Sequence, residues 1–410
     1  RSWDDHDRSN RRTAVELAAN YLNSVGPNGY LITHGDNDTF PLWYAQEVEE
    51  IRTDVRILNT SLLGTDWYID QMKYACNESA PLPLSVPLQQ YLYGTNEYVP
   101  IVDNRGAEMS IQDVMAVFRH PQLKVGLASG RKVDYIPSRK IVVPVNRENV
   151  LKYGILPPEF KDAIPESITL TIPKNKDYLS KPELFVLDLL AGYDWSRPLN
   201  MLNQGGDLNI GIKDYLIYEG FSYKFVPIRN KPSSLNAGIV DLDGLYRKLE
   251  DTYRFDALAA DGWFVDYQNL YTHLGVMSVR QIFATAARSM SKGGFNRQAI
   301  DLLDRGMQVT RQLPLESIPI GFVANDYMVI DIISQYYALG EKLKADDLAL
   351  QLSADMLKAG AFYLDFYEYA QHDFETVMQY LYFLQDEVKK GGNEELAAAI
   401  DTNIKSLIGN

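Results

Sequence analysis

The feature that most restricts the fold is one change of pattern near residues 235–240. Before it, short β-branched and aromatic runs alternate with helical stretches; after it, apolar residues recur at helical spacing almost to the C-terminus. One core cannot present the two patterns in separate halves. The chain therefore reads as an α/β domain over residues 1–235 followed by an all-α domain over residues 240–410. With 410 residues, 46% of them hydrophobic, there is enough apolar material for two cores.

In the first half, Val15, Leu17, Ala18, Tyr21 and Leu22 predict a helix over Arg11–Ser24 that Gly26-Pro27 stops. Tyr30–His34 reads as a buried strand, Gly35–Thr39 as a loop, and Pro41–Ile51 as a helix whose proline sits in the first turn. Asp54–Asn59 is the next strand and Asp66–Cys76 the next helix. That order is a βαβ crossover, which calls for a mixed or mostly parallel sheet covered by helices. Further strands are predicted at Lys140–Val145, Ile168–Ile172, Leu199–Leu202 and Ser222–Ile228, and Ser180-Lys181-Pro182-Glu183 opens a helix to Gly192. The stretch from Leu82 to Val133 carries few signals, and its topology stays unassigned.

The second half repeats itself weakly. Ile282, Ala286, Ala287, Met290, Gly294, Ala299 and Leu302 align with Met328, Ile332, Ile333, Tyr336, Gly340, Ala345 and Leu348. Each copy is helix, glycine turn, helix, with small and apolar residues where antiparallel helices must touch. This predicts tetratricopeptide-like helical hairpins, at a period longer than the usual ~34 residues. Many of the 27 tyrosines cluster here, as in Phe362-Tyr363-Leu364-Asp365-Phe366-Tyr367 and Tyr380-Leu381-Tyr382-Phe383. Rings three and four apart on a helix are read first as core, and second as the lining of a binding groove.

Several classes of partner are excluded. A net charge of -14 has the wrong sign for nucleic acid. The longest apolar runs, Leu184–Ala191 and Ile141–Val145, are far shorter than the ~18 residues of a membrane span. The chain opens Arg1-Ser2-Trp3-Asp4, without an initiator Met or a signal segment, and is expected to be a piece of something longer. The one cysteine, Cys76, can form no internal disulfide, and no Cys/His cluster calls for zinc.

The densest polar constellation is Gly35-Asp36-Asn37-Asp38-Thr39, placed after a predicted parallel strand, where ligands of open α/β sheets sit. Asp36 and Asp38 are separated by one residue and could chelate a divalent cation, and Asp66 follows the second strand in the same way. The run Asp5-His6-Asp7-Arg8 adds more acid and an imidazole. The plainer reading makes Asp38 or Thr39 and Asp66 helix caps, with Gly35 and Asn37 at turn positions of positive φ. A metal or sugar-phosphate site and a partner contact are the other two readings. No nucleophile–base motif, Walker loop or GxGxxG is present, and Gly205-Gly206-Asp207 reads as a turn. His34, His120, His273 and His372 show no metal-ligand spacing.

Three phrases carry a resemblance: Trp3 to Ser9, Gly35 to Glu49, and Arg52-Thr53-Asp54-Val55-Arg56. Together with Asp66-Trp67-Tyr68-Ile69, Trp195-Ser196-Arg197-Pro198 and Tyr223-Lys224-Phe225-Val226-Pro227-Ile228, they resemble the soluble C-terminal portion of a family of bacterial multi-spanning membrane proteins. That family, long described as a domain of unknown function, is related to protein O-mannosyltransferases with a C-type glycosyltransferase membrane core. The resemblance implies an extramembrane, non-catalytic domain at the periplasmic face of the inner membrane, in an enzyme moving sugar from a lipid-phosphate donor to a protein acceptor. Its implied partners are the membrane helices of the same polypeptide and, through the helical half, an acceptor or partner protein. No catalytic residue carries over, no cofactor is implied, and a divalent cation at Asp36 and Asp38 is the one that the residues themselves could hold. Two other readings stand beside it: a free-standing DxD metal-dependent sugar-nucleotide enzyme, and a tetratricopeptide-type interaction module.

Overall fold

Helix α1 (Thr13–Asn23) leads into β1 (Tyr30–Thr33), α2 (Asp36–Glu47), β2 (Arg56–Asn59) and α3 (Asp66–Gln71), which is the expected crossover. The computed structural model describes residues 12–103, 106–202, 208–232, 237–261, 277–315 and 325–409. These fall into two units, one drawn from Leu17–Asp241 and the other from Arg1–Glu16 with Leu242–Asn410.

The first unit continues through β3 (Tyr98–Pro100), β4 (Glu108–Ser110), α4 (Ile111–Arg119), β5 (Val125–Gly126), β6 (Lys132–Val133), β7 (Lys140–Pro144) and α5 (Arg147–Lys152). It closes with β8 (Ser167–Thr171), β9 (Tyr178–Ser180), α6 (Lys181–Ala191), β10 (Leu199–Met201), β11 (Leu216–Tyr218) and β12 (Tyr223–Phe225). A five-stranded mixed sheet runs β11-β12-β10-β1-β2. β1 is parallel to β2 on one side and to β10 on the other, with Tyr30 facing both Arg56 and Leu199, and β12 turns antiparallel to β10. Every residue of β1, β2 and β10 is buried, as strands covered on both faces require. A smaller sheet, β4-β7-β8, and the ribbons β3-β9 and β5-β6 fill part of the stretch from Leu82 to Val133.

Helix α6 is buried nearly all round and lies inside this unit. Its capping box is present: the Ser180 N–H donates to Glu183 Oε2 at 2.9 Å. Asp188 is fully buried yet satisfied, accepting from the Ser85 N–H and hydroxyl at 2.9 and 2.6 Å, the Val86 N–H at 3.0 Å and the Tyr91 hydroxyl at 3.3 Å. Burial, with the Asp188 charge beside it, pushes the Tyr91 hydroxyl well above its ordinary value. Trp195 is also fully buried; its indole N–H donates to the Pro144 carbonyl at 2.8 Å and its ring lies flat on Phe225.

Two local expectations need correction. The helix after β1 begins at Asp36, with Gly35 at its N-cap, so Asp36–Thr39 is its first turn and not a loop, and Pro41 stands inside the helix. Acidic side chains favour the electropositive end of a helix, and Asp38 Oδ2 accepts the His34 N–H at 3.3 Å, which ties that turn to the strand. Helix α3 stops at Gln71, short of Cys76, through turn bonds such as Lys73 N–H to the Asp70 carbonyl at 3.0 Å. Arg56 then takes the Tyr74 carbonyl at 2.9 Å, so the loop leaves the helix path.

The second unit is helical among its described residues. After α7 (Leu242–Arg247) and α8 (Asp256–Ala259) come α9 (Met277–Lys292), α10 (Asn296–Val309), α11 (Asn325–Ala338), α12 (Lys342–Asp365), α13 (Tyr367–Lys390) and α14 (Glu394–Ile408). Successive helices pair, and α9 also packs on α11, α11 on α13 and α12 on α14, which is how stacked hairpins bury a shared core. The aligned apolar residues of both repeat copies are buried. A third hairpin, α13-α14, obeys the same turn rule: Gly294, Gly340 and Gly392 have φ of 84°, 85° and 86°. In each case the next residue's N–H reaches back five residues, Phe295 to Met290, Glu341 to Tyr336 and Asn393 to Val388. That is the Schellman closure, and a side chain at the left-handed position would strain it.

Candidate functional site

The carboxyl ends of β1 and β2 carry a compact polar cluster. Thr33 closes β1 and its hydroxyl meets that of Thr39 in α2 at 2.7 Å. Asn59 closes β2, donating to Thr39 Oγ1 at 2.8 Å and to the Gly35 carbonyl at 3.2 Å while its Oδ1 accepts the Leu62 N–H at 3.1 Å. His34 Nδ1 stands 3.0 Å from the Thr60 hydroxyl, which also donates to the Thr33 carbonyl at 3.1 Å. Within this cluster Asp38 is 5% exposed, and its Oδ1 is buried with no hydrogen-bond partner. An orphaned buried carboxylate oxygen is costly in a folded core and marks the cluster as a place where polar ligand chemistry could be met.

The predicted acids do not converge. Residues two apart on a helix do not share a face. Accordingly Asp36 is exposed, with Oδ1 accepting the Asn37 N–H at 3.0 Å, whereas Asp38 is buried. Asn37 is exposed in the same first turn. Asp66 is the first residue of α3 rather than its cap, and its carboxylate takes the Trp67 N–H at 2.8 Å and the Tyr93 N–H at 3.0 Å. Gly35 has φ of -120° and is the N-cap position of α2, with no side-chain cap, and neither it nor Asn37 adopts positive φ. Among the described residues, no group of three or more His, Cys, Asp or Glu could hold a metal ion. Asp5, His6, Asp7, Arg8, Gly205-Gly206-Asp207 and His273 lie outside the described residues. His120 Nδ1 accepts the Gln122 N–H at 3.2 Å, a local turn bond.

At the other end of the strands, arginines do the work that the sequence reading did not assign. Arg52 donates to the Leu22 and Val25 carbonyls at 3.0 and 2.9 Å, closing the C-terminus of α1, and is held by Asp54 through 2.8 and 3.0 Å contacts. These bonds, with the Asn28 N–H, outweigh burial and hold the Asp54 carboxyl below its ordinary value. Arg56 and Arg197 both reach Ser79: Arg56 Nη2 takes its carbonyl at 3.1 Å, and Arg197 Nη2 takes its hydroxyl at 2.8 Å. Arg197 also lies over the Tyr30 ring, 4.2 Å from its centroid. Arg52, Asp54 and Arg56 belong to one quoted phrase and Arg197 to another, but only the fold shows that they meet.

A cavity of about 490 Å³ opens beside β2, walled by Trp43 and Glu47 of α2, Arg56 of β2, Tyr68 of α3, and Tyr74 and Cys76 of the loop beyond. The edge of β2 that no strand pairs is capped by side chains. Tyr68 donates to the Ile57 carbonyl and accepts the Asn59 N–H, both at 3.1 Å, and Gln46 donates to the Val55 carbonyl at 2.8 Å. Burial pushes the Tyr68 hydroxyl up to about 12. Rings continue outside the cavity, with Phe40 stacked on Trp43 at 5.5 Å.

In the helical unit the rings divide. Tyr336 and Tyr363 are buried, but Phe362, Phe366, Tyr367, Tyr369, Tyr382 and Phe383 are exposed, against the expectation that such rings fill the core. The buried stripes of α12 and α13 run through Leu352, Met356 and Gly360 and through Val377, Leu381 and Leu384, and these six rings lie off them.

In comparison with known proteins, the family model TMEM260-associated domain 2 matches residues 14–244. Neither a curated protein nor a solved structure shows significant similarity to the chain. Among the described residues no helix is long and apolar enough to cross a membrane.

Proposed function

We propose, from the premise that this chain belongs to the TMEM260-associated domain 2 family, that it is an accessory domain of a membrane-embedded glycosyltransferase that moves sugar from a lipid-linked donor to a protein acceptor. The observation that carries the reading is the match across residues 14–244, more than half the chain, to a family linked to TMEM260, a protein O-mannosyltransferase. In this reading the chain hangs from membrane helices of the same polypeptide on the periplasmic side of a bacterial inner membrane. It contributes docking or acceptor contact rather than chemistry, and the exposed rings of α12 and α13 support contact with a partner protein. No cofactor is assigned to it. A cation held by Asp36 and Asp38 alone would have its two carboxylates on different faces of α2, which disfavours the sugar-nucleotide enzyme.

The test is the size and location of the native protein in source cells, followed with an antibody against this chain. The expected result is a band well above 46.5 kDa confined to detergent-extracted membranes. A soluble band near 46.5 kDa overturns the proposal.

A further inference from the structure

The cavity beside β2 holds a cation without a counter-ion. Arg56 is 5% exposed, and among the described residues no carboxylate lies within ion-pair distance of it. Its Nη2 is spent on the carbonyls of Tyr74 at 2.9 Å, Ser79 at 3.1 Å and Ala80 at 3.4 Å, and its Nε on the Ser79 hydroxyl at 3.3 Å. Its Nη1 meets only the Met72 thioether, at 3.9 Å. The carbonyls explain how the loop is tied to β2, but leave a guanidinium edge and a full charge uncompensated. A second guanidinium, Arg197, shares Ser79 with it and adds to the positive potential. Buried charges in folded proteins are ordinarily paired, so this one asks for an anion.

We propose that the cavity beside β2 is a binding site for an organic oxyanion, a carboxylate or phosphate held by Arg56, whose apolar ring or chain lies against Trp43 and Tyr74. The volume of about 490 Å³ suits a small molecule rather than a macromolecule. The remaining guanidinium nitrogen, Nη1, can donate to either oxyanion in a charge-assisted bond, and the rings supply the apolar wall. Glu47 stands on the same wall, fixed by the Asn77 amide at 2.8 Å. Its charge selects against polyanions, so the ligand carries one anionic group. The site is separate from the membrane-docking reading, and either can fail without the other.

Cys76 reports on occupancy, because it is the chain's one cysteine, is exposed and lines this cavity. The full chain is alkylated with neutral iodoacetamide at constant ionic strength in the presence of phenyl phosphate, benzoate or uncharged benzyl alcohol. Phenyl phosphate or benzoate is expected to slow labelling saturably, at least about threefold, with benzyl alcohol inert; which anion acts identifies phosphate or carboxylate as the group recognised. Arg56→Lys, which keeps a cation and loses the Nη1 donor, is expected to raise the half-saturating concentration about tenfold. Tyr74→Ala removes a ring that is 63% exposed and, among the described residues, makes no side-chain hydrogen bond, so the fold survives if Arg56→Lys does not. It should weaken phenyl phosphate but leave inorganic phosphate unchanged. No saturable protection by either anion, or protection that sodium chloride reproduces, overturns the proposal; so does protection that persists unchanged in both variants.

Discussion

The two units solve the same problem, burying an apolar core, by opposite means. In the helical unit the decisive contacts join near neighbours in the chain: Arg280, 1% exposed, ties α9 to the end of α10 through Thr310, Leu313 and Pro314, and Tyr336 donates to Asp304 at 2.9 Å. In the α/β unit buried and half-buried polar side chains reach across the sequence. Asp188 holds Ser85 from 103 residues away, and Arg197 takes the Ala80 carbonyl from 117 residues away. Locality makes a repeat legible and modular, whereas long-range clamps make a unit that stands or falls together.

That contrast can be broken most directly at Asp188. Replacing it with alanine strands two backbone N–H groups and a buried phenol, and is expected to cost the α/β unit about 4 kcal/mol in urea unfolding. A loss under about 1 kcal/mol would mean that long-range clamps do not hold this unit. Glycine turns sharpen the other side. Gly294→Ala and Gly340→Ala should each cost about 1 kcal/mol, from placing a side chain at positive φ, and should add in the double variant because the turns are separate. Costs that exceed their sum would show that the hairpins are not independent.

The smallest expected effect is on pH dependence. Asp54 is held below its ordinary value of 3.8 in the folded state, so its contribution is fully present above that pH and is lost as pH falls below it, through the lower value that Asp54 has in the folded protein. Asp54→Asn should therefore be less stable than the parent protein at neutral pH, and the gap should begin to narrow below about pH 4. A constant gap from pH 7 to pH 3, followed by circular dichroism, would show that the Arg52–Asp54 pair contributes packing and not charge.

Part of this was legible in the sequence. The crossover from β1 through α2 to β2 follows from periodicity, and the capping box at Ser180 and Glu183 from residue type and spacing. The first two hairpins were visible because their helix–turn–helix spacing repeats; the third was hidden because α12 and α13 are each 24 residues long and shift its register. At the candidate site, the phrase from Gly35 to Thr39 was found but misread as a loop, since acidic residues serve loops and first helical turns alike. The orphaned Asp38 oxygen and the uncompensated Arg56 had no signature at all. Whether a charge is paired depends on what the fold brings beside it.

The sequence by itself determined the succession of an α/β unit and a helical one, the parallel pairing of β1 with β2, and the glycines at the turns, because each depends on backbone preferences and on residues close along the chain. Tertiary structure decided which strand lies on the far side of β1, which rings of α12 and α13 stay in solvent, and that Arg56 and Arg197 meet at Ser79 beside a cavity. Those are properties of pairs far apart in sequence, where burial and charge are set by neighbours that no local pattern encodes.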